Sequence, residues 1–268
     1  MLCKACITIF WRRTWRRFDV LMLYYFFECT TAKAGSLTGK DLCDYFDVMA
    51  IIRQNLGYVL IARYIMDSNN RKLVIATSNP GKYREIMEVL SGVPYEVKSS
   101  GELGLNDDCV EDGVTYRENA LKKVQHYAAQ TGFLTLAEDS GIVVDALEGE
   151  LGVKTRRFGA GERASDEEWI EYFLDVLKDV PDTERTARFI CCGALMDEEG
   201  EVRYFEGKTE GVITAGLEAP IYRGLPISSC FRPVGFEKVY AALSVAEKNR
   251  VSHRGKAMHA VREVLLGL

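Results

Sequence analysis

The sequence lacks a basic surplus, a disulfide-like cysteine pattern and any apolar run long enough to cross a bilayer. Its net charge of −5 gives no electrostatic basis for gripping a nucleic acid. Eight cysteines at irregular spacing in 268 residues exclude the framework of a small secreted domain, and favour reduced thiols in the cytoplasm. Proline is scarce, at 6 residues, while 47% of the chain is hydrophobic and 27% charged; that composition excludes a disordered chain. No G-x-x-x-x-G-K-[ST] and no G-x-G-x-x-G follows the first predicted strand, which sets aside a Walker-type loop and a dinucleotide oxidoreductase. Internal repeats and low-complexity tracts are missing too.

Residues 1–65 read differently from the rest. Arg12, Arg13, Arg16 and Arg17 precede an apolar stretch, Phe18 to Phe27, and Ala32-Lys33-Ala34 follows. This order imitates a signal peptide, but Asp19 interrupts the apolar stretch, which is too short for a membrane span. Cys3-x-x-Cys6 has no second pair to complete a metal site. Met66 stands just before the polar lead into the first predicted strand. The expectation is an N-terminal extension over 1–65, either an upstream-start artefact or a loosely attached segment, and a single working domain over 66–268.

The domain is organised around Leu73 to Leu90. Leu73-Val74-Ile75 reads as a buried strand, Thr77-Ser78-Asn79-Pro80-Gly81 as a turn, and Lys82 onward as a helix with Ile86, Val89 and Leu90 inward. A polar loop feeding a helix with a lysine in its first turn suits an anion, because the helix N-terminus and the ammonium both supply positive potential. It equally suits an ordinary strand-to-helix turn. Further on, a short strand is expected at 95–98 and a helix at 115–131 with capping-box spacing of Thr115 and Glu118. A strand at 133–137 is expected to end in Glu138-Asp139-Ser140-Gly141. A Ser165-to-Glu168 capping box opens another helix, 187–196 and 202–205 form a hairpin, and 207–236 is largely loop, with Val212-Ile213 a short extension. Short and terminal helices are expected at 241–248 and 255–266. Alternating helices and strands with one hairpin predict a mixed-sheet α/β domain.

Glu111, Glu118 and the Glu138-Asp139 pair bring carboxylates from separate elements. That pattern suits Mg²⁺, a hard ion that commonly bridges one or two carboxylates to phosphate oxygens. Each carboxylate also has an ordinary use: Asp139 in a turn, Glu118 in its capping box, Glu111 in solvent. Lys123 follows Asn119 by four positions and shares its helix face. Arg157 lies in a Gly-rich loop, and Ser252-His253-Arg254-Gly255 places a histidine and an arginine at a helix start.

Four blocks in this order, T-S-N-P-G-K (77–82), E-D-G-V-T-Y-R-E-N-A (111–120), A-E-D-S-G-I-V-V-D-A-L (137–147) and S-H-R-G-K-A (252–257), resemble the non-canonical purine nucleoside triphosphate pyrophosphatases. The resemblance spans about 72–266. It implies the ITPase-like fold of the anticodon-nuclease/Maf-like superfamily, an elongated mixed sheet flanked by helices with two lobes around a central cleft. It implies hydrolysis of ITP, dITP or XTP to monophosphate and pyrophosphate, Mg²⁺ as cofactor, and a cytoplasmic homodimer. Thr77 to Lys82 and Lys123 would hold the phosphates. Asp139 would be catalytic and a metal ligand, with Glu111 beside it. Ser140 would touch substrate, and Lys248, His253 and Arg254 would recognise the base.

One block departs from the pattern. Where relatives carry G-F-G-Y-D-P-I-F, this chain has Gly224-Leu-Pro-Ile-Ser-Ser-Cys-Phe231, so the aromatic platform and the aspartate are replaced. Tyr222 or Phe236 are candidates to stand in. The change also opens two other readings, a pyrophosphatase for modified pyrimidine triphosphates and a nucleotide-binding relative with weakened catalysis.

Overall fold

The computed structural model describes residues 71–105, 109–161 and 164–267; the expectations placed on 1–65 lie outside them. Among the described residues, six strands form one sheet in the order β2-β1-β3-β4-β5-β6. Strand β1 (Lys72–Ala76) runs parallel to β2 (Glu96–Ser99) on one side and to β3 (Leu134–Val144) on the other. From β3 the sheet continues antiparallel through β4 (Thr186–Met196), β5 (Val202–Ile213) and the short β6 (Phe231–Pro233). This is the mixed-sheet α/β architecture that the alternation of elements predicts.

Strand periodicity distributes the helices. Leu73, Ile75, Leu136 and Leu195 point to one face, where α1 (Pro80–Val89) and α5 (His253–Leu266) cover them with Ile86, Val89, Ala257, Met258 and Val261. Ala76, Ala137 and Ala194 point to the other face and meet Ala120, Val124 and Tyr127 of α2 (Tyr116–Thr131). Farther along β3 and β4, Ile142, Val144 and Phe189 build a separate core with Trp169, Ile170 and Phe173 of α3 (Asp166–Val176). Three clusters of buried apolar side chains thus pack on the one sheet. A short helix α4 (Val245–Val251) leads into α5.

Local chemistry explains the helix limits. Asn79 caps α1 and Pro80 occupies its first turn; Thr115 caps α2, and Gly132 closes it in the left-handed region at φ 66°. The reciprocal box expected at Thr115 is displaced, since Glu118 returns to the amide of Val114 rather than to that of Thr115. At α3 the box is complete between Ser165 and Glu168.

Three expectations need correction. Glu138-Asp139-Ser140-Gly141 does not end a strand: β3 runs on to Val144 because β4 pairs with it throughout, from Thr135–Met196 to Val144–Ala187. What ends there is its parallel neighbour β1, at Ala76 opposite Ala137. Residues 207–211 are strand rather than loop, so that β5 runs unbroken to the extension at 212–213. Gly207 disguised this, and it is glycine because a Cβ would lie 1.9 Å from the His253 carbonyl oxygen where α5 begins. The helix expected at 241–248 is shifted to Val245–Val251, capped by Ser244 and Glu247.

Candidate active site

The site begins where β1 stops. Asn79 sets the shape of the loop: its Oδ1 accepts from the Gly81 and Lys82 amides at 2.9 and 3.1 Å, and its Nδ2 donates to the Gly224 carbonyl at 2.8 Å. The first amides of α1 are thus satisfied from within the protein, which leaves Lys82 as the loop's principal cation. Gly81 does not line the cleft. It lies beneath the neighbouring loop, where a Cβ would meet Leu225 Cγ at 2.7 Å and the Arg223 carbonyl oxygen at 2.8 Å. Thr77, Ser78 and Pro80 do line the cleft, which has a volume of about 690 Å³.

Alternation along β3 sends consecutive polar residues to opposite faces. Glu138 and Ser140 turn toward α1 and α5. Glu138 receives Lys82 Nζ at 2.8 Å, and Ser140 Oγ accepts from Arg254 Nη2 at 2.8 Å. Asp139 turns toward α2, where Asn119 Nδ2 donates to its Oδ2 at 3.1 Å. Lys123, one helical turn after Asn119, donates to the Glu138 carbonyl at 3.1 Å and pairs with Glu111 at 2.9 Å. Asp139, Glu111, Lys82 and Lys123 all face the same cleft.

Burial and charge tune these groups in different directions. Burial pushes the Asp139 carboxyl above its ordinary range, and Lys82 and Lys123 offset this only in part. Burial also acts to raise Glu138, but Lys82, Arg254 and Lys123 outweigh it and hold that carboxyl well below the carboxylate range. Two adjacent carboxylates therefore differ. Glu138 is a fixed counter-charge, and Asp139 is the better proton acceptor. For Lys123, burial disfavours the charge, and Glu111, Asp139 and Glu138 more than restore it.

At the other end of the cleft, Glu85 of α1 pairs with Lys248 at 2.6 Å and with Arg254. Its carboxyl lies below its ordinary range because those two cations overcome the effect of burial. Lys248 Nζ is also 3.5 Å from Ser228 Oγ. His253 stacks on Phe189, with ring centroids 4.5 Å apart and planes 10° from parallel. Lys248, His253, Arg254 and Ser140 all line the cleft. Sequence reasoning missed Glu85, although a charged residue one turn after Gly81 and one turn before Val89, on the inward face of α1, is a readable signal. It took Glu138 only as a candidate carboxylate for Mg²⁺, whereas the structure pairs it with Lys82, and it gave Phe189 no place in the site.

The aromatic wall does not come from the residues expected to supply it. Neither Tyr222 nor Phe236 lines the cleft; Tyr222 instead sits under Arg84 and Lys248, at 4.6 and 5.0 Å from its ring centroid. Trp169, Phe189 and Tyr240 line it. Among the described residues, no group of three or more His, Cys, Asp or Glu forms a cation cage. A Mg²⁺ ion shared with phosphate needs fewer, and the oxygen donors of Asp139 and Glu111 facing one cleft suit such an ion. No helix among the described residues is long and apolar enough to cross a membrane. Cys191 and Cys192 are free and buried.

A mixed-sheet α/β domain with a lysine-bearing loop, a perturbed aspartate and a second carboxylate around one cleft has the design of a phosphate-ligand enzyme. The chain belongs to the Ham1 family, whose model matches residues 73–264. A dITP/XTP pyrophosphatase of Desulforamulus reducens is 41% identical over 194 residues, covering 72% of this chain and 95% of that protein. One of Geobacter sulfurreducens is 42% identical, covering 72% and 96%. Among solved structures, a HAM1 protein from Coxiella burnetii matches with a TM-score of 0.64 at 33% identity, covering 74% of this chain and all of that one.

Proposed function

We propose that the chain hydrolyses non-canonical purine nucleoside triphosphates (ITP, dITP or XTP) to the monophosphate and pyrophosphate. The observation that carries this reading is Asp139: a carboxyl raised by burial, oriented by Asn119, and placed with Lys82 and Lys123 on one cleft. The named activity of its relatives supports the same reaction.

In this mechanism water attacks the α-phosphorus, the bond to the bridging oxygen breaks, and pyrophosphate leaves. Asp139 takes the proton of the attacking water, a role favoured by its raised pKa. Lys82 and Lys123 would stabilise charge growing on the leaving pyrophosphate. Asp139 and Glu111 would hold Mg²⁺, which when bound acidifies water and neutralises phosphate charge. Glu138 keeps Lys82 and Arg254 in place. Lys248, His253 and Arg254 would face the base, where donors favour a 6-oxo over a 6-amino group.

The reading includes a cytoplasmic homodimer and a working domain that starts near Met66, with 1–65 outside it. The test is a Mg²⁺-dependent pyrophosphate-release screen of dITP, XTP, dATP, dUTP and methylated pyrimidine triphosphates, run on the full chain and on one starting at Met66. Preference for dITP or XTP supports the proposal; equal or greater release from dATP defeats it. The Leu225-to-Ser228 wall favours a second reading, a modified pyrimidine substrate, which the same screen would reveal. Nucleotide binding without turnover would instead favour a binder with weakened catalysis.

A further inference from the structure

We propose that Asp166 is a positioning residue for the phosphate loop, acting on Asn79 and Lys82 through the peptide groups of Gly224. This rests on the reading that residues 77–82 hold the phosphates of a nucleoside triphosphate. Both peptide groups of Gly224 are taken. Its N–H donates to Asp166 Oδ2 at 2.6 Å, and its carbonyl accepts from Asn79 Nδ2 at 2.8 Å. Asn79 turns its other amide atom, Oδ1, to the N–H groups of Gly81 and Lys82. Hydrogen bonds thus run from the first turn of α3 to the first turn of α1, and Asn79, Asp166 and Gly224 all line the cleft.

The chemistry of each link fixes the next. Gly224 offers Asn79 an oxygen and the α1 amides offer it hydrogens, so the two ends of the Asn79 amide cannot exchange. Where the Gly224 carbonyl stands therefore decides how Asn79 meets Gly81 and Lys82. Gly224 lies in the left-handed region at φ 79°, and a Cβ there would be 2.5 Å from Asn79 Oδ1. Its N–H is held by a carboxylate, the stronger kind of acceptor. An acid in a helix's first turn ordinarily serves the helix itself. In α3 that work falls to Ser165 and Glu168, which form the capping box, and to Glu167. The Asp166 side chain is 17% exposed, with the Arg156 guanidinium 3.9 Å from its Oδ1. Helix α3 packs with Ile142 and Phe189, and α1 with Leu73 and Leu195. The relay thereby ties the phosphate loop to a part of the domain that packs separately.

The experiment compares two variants of the full chain with opposite expectations. Asp166→Asn keeps a side-chain oxygen at the same reach and removes the charge; Asp166→Glu keeps the charge and displaces the oxygen by one methylene. Positioning predicts that Asp166→Asn stays within about threefold of the parent in kcat/KM for dITP. Asp166→Glu should lose about tenfold or more, the range of one charge-assisted hydrogen bond. Its inhibition constant for tripolyphosphate, which carries no base, should rise as well. A helix-terminal charge alone gives the reverse order of the two variants. Asp166→Glu at parental efficiency, or with parental affinity for tripolyphosphate, overturns the proposal, and so does Asp166→Asn impaired as much as Asp166→Glu. A second measurement does not depend on turnover. The amides of Gly81 and Lys82 should exchange with deuterium faster in Asp166→Glu than in the parent, while those of β4 stay unchanged; equal exchange at 81–82 overturns the proposal. A parent chain that hydrolyses no nucleoside triphosphate defeats the pyrophosphatase reading, and the exchange measurement then decides the role of Asp166 alone.

Discussion

Arg254 and Glu85, 169 residues apart in the chain, meet as an ion pair with both side chains buried. Glu85 also takes Lys248, and Arg254 also reaches Ser140 and, at 3.7 Å, Glu138. Charges of alternating sign thus run from Lys248 at one end of the cleft to Lys82 at the other.

Glu85→Gln is expected to leave two buried cations undercompensated and to destabilise the fold by about 3–5 kcal/mol. Urea unfolding at pH 7 measures it. Because the folded-state pKa of Glu85 is depressed, its contribution is present above the unfolded carboxyl value near ~4.3 and is lost as pH falls through the lower folded value. The variant should therefore lack part of the parent's acid-side loss of stability. A midpoint within error of the parent's would refute the network's structural role.

Asp139→Asn should separate activity from stability. Turnover is expected to fall a hundredfold or more, the size of a general-base contribution. The folded state raises the pKa of this carboxyl, so its charge at neutral pH opposes folding. The amide should melt at the same temperature as the parent or higher. Near-parental pyrophosphate release from dITP would remove Asp139 from its catalytic role.

His253 predicts a different pH dependence. Burial, aided by Arg254, depresses its pKa well below the usual histidine value. Above ~6.5 both folded and unfolded forms are neutral and the residue is silent. As pH falls through that value the unfolded chain gains a proton that the folded chain refuses, and stability drops by up to about 1.4 kcal/mol per pH unit. His253→Phe keeps a ring against Phe189 and should abolish this component between pH 7 and 5. An identical slope in the variant would contradict the assignment.

Gly81→Ala tests the packing of the two loops. The added methyl meets Leu225 Cγ and the backbone oxygen of Arg223. One of these can be trimmed and the other cannot. A loss of about 1–3 kcal/mol is expected, with a raised KM for dITP. Adding Leu225→Ala should restore part of the stability, and a cycle of thermal melts on the four proteins would show no coupling if the loops were independent.

What was readable in the sequence was whatever local rules control. Thr115 and Gly132 bound α2, Ser165 and Glu168 open α3, and the strand-loop-helix at 72–89 follows its apolar pattern. Lys123 and Asp139 converge as helix and strand periodicity allow. The misses share a cause, which is compensation from far along the chain. Glu138, Asp139 and Ser140 look like a turn because three polar residues in a row rarely stay in a buried strand. They do so here because Lys82, Asn119 and Arg254 arrive to meet them. Residues 207–211 look like loop because Gly207 answers to α5, not to its neighbours. Trp169 reads as an ordinary core residue, and only the position of the 226–229 turn brings it to the cleft.

The Asn79–Gly224 hydrogen bond joins residues 145 positions apart, and this bears on how the protein is made. Loop-closure entropy delays contacts of such separation until local elements and nearer pairings are in place. The β4–β5 hairpin and α2 can form early, whereas the clasp between the two cleft loops needs nearly the whole domain. Nucleotide binding should thus return after far-UV ellipticity in a refolding time course. A nascent chain stalled before Gly224 would carry most of its sheet and no working cleft.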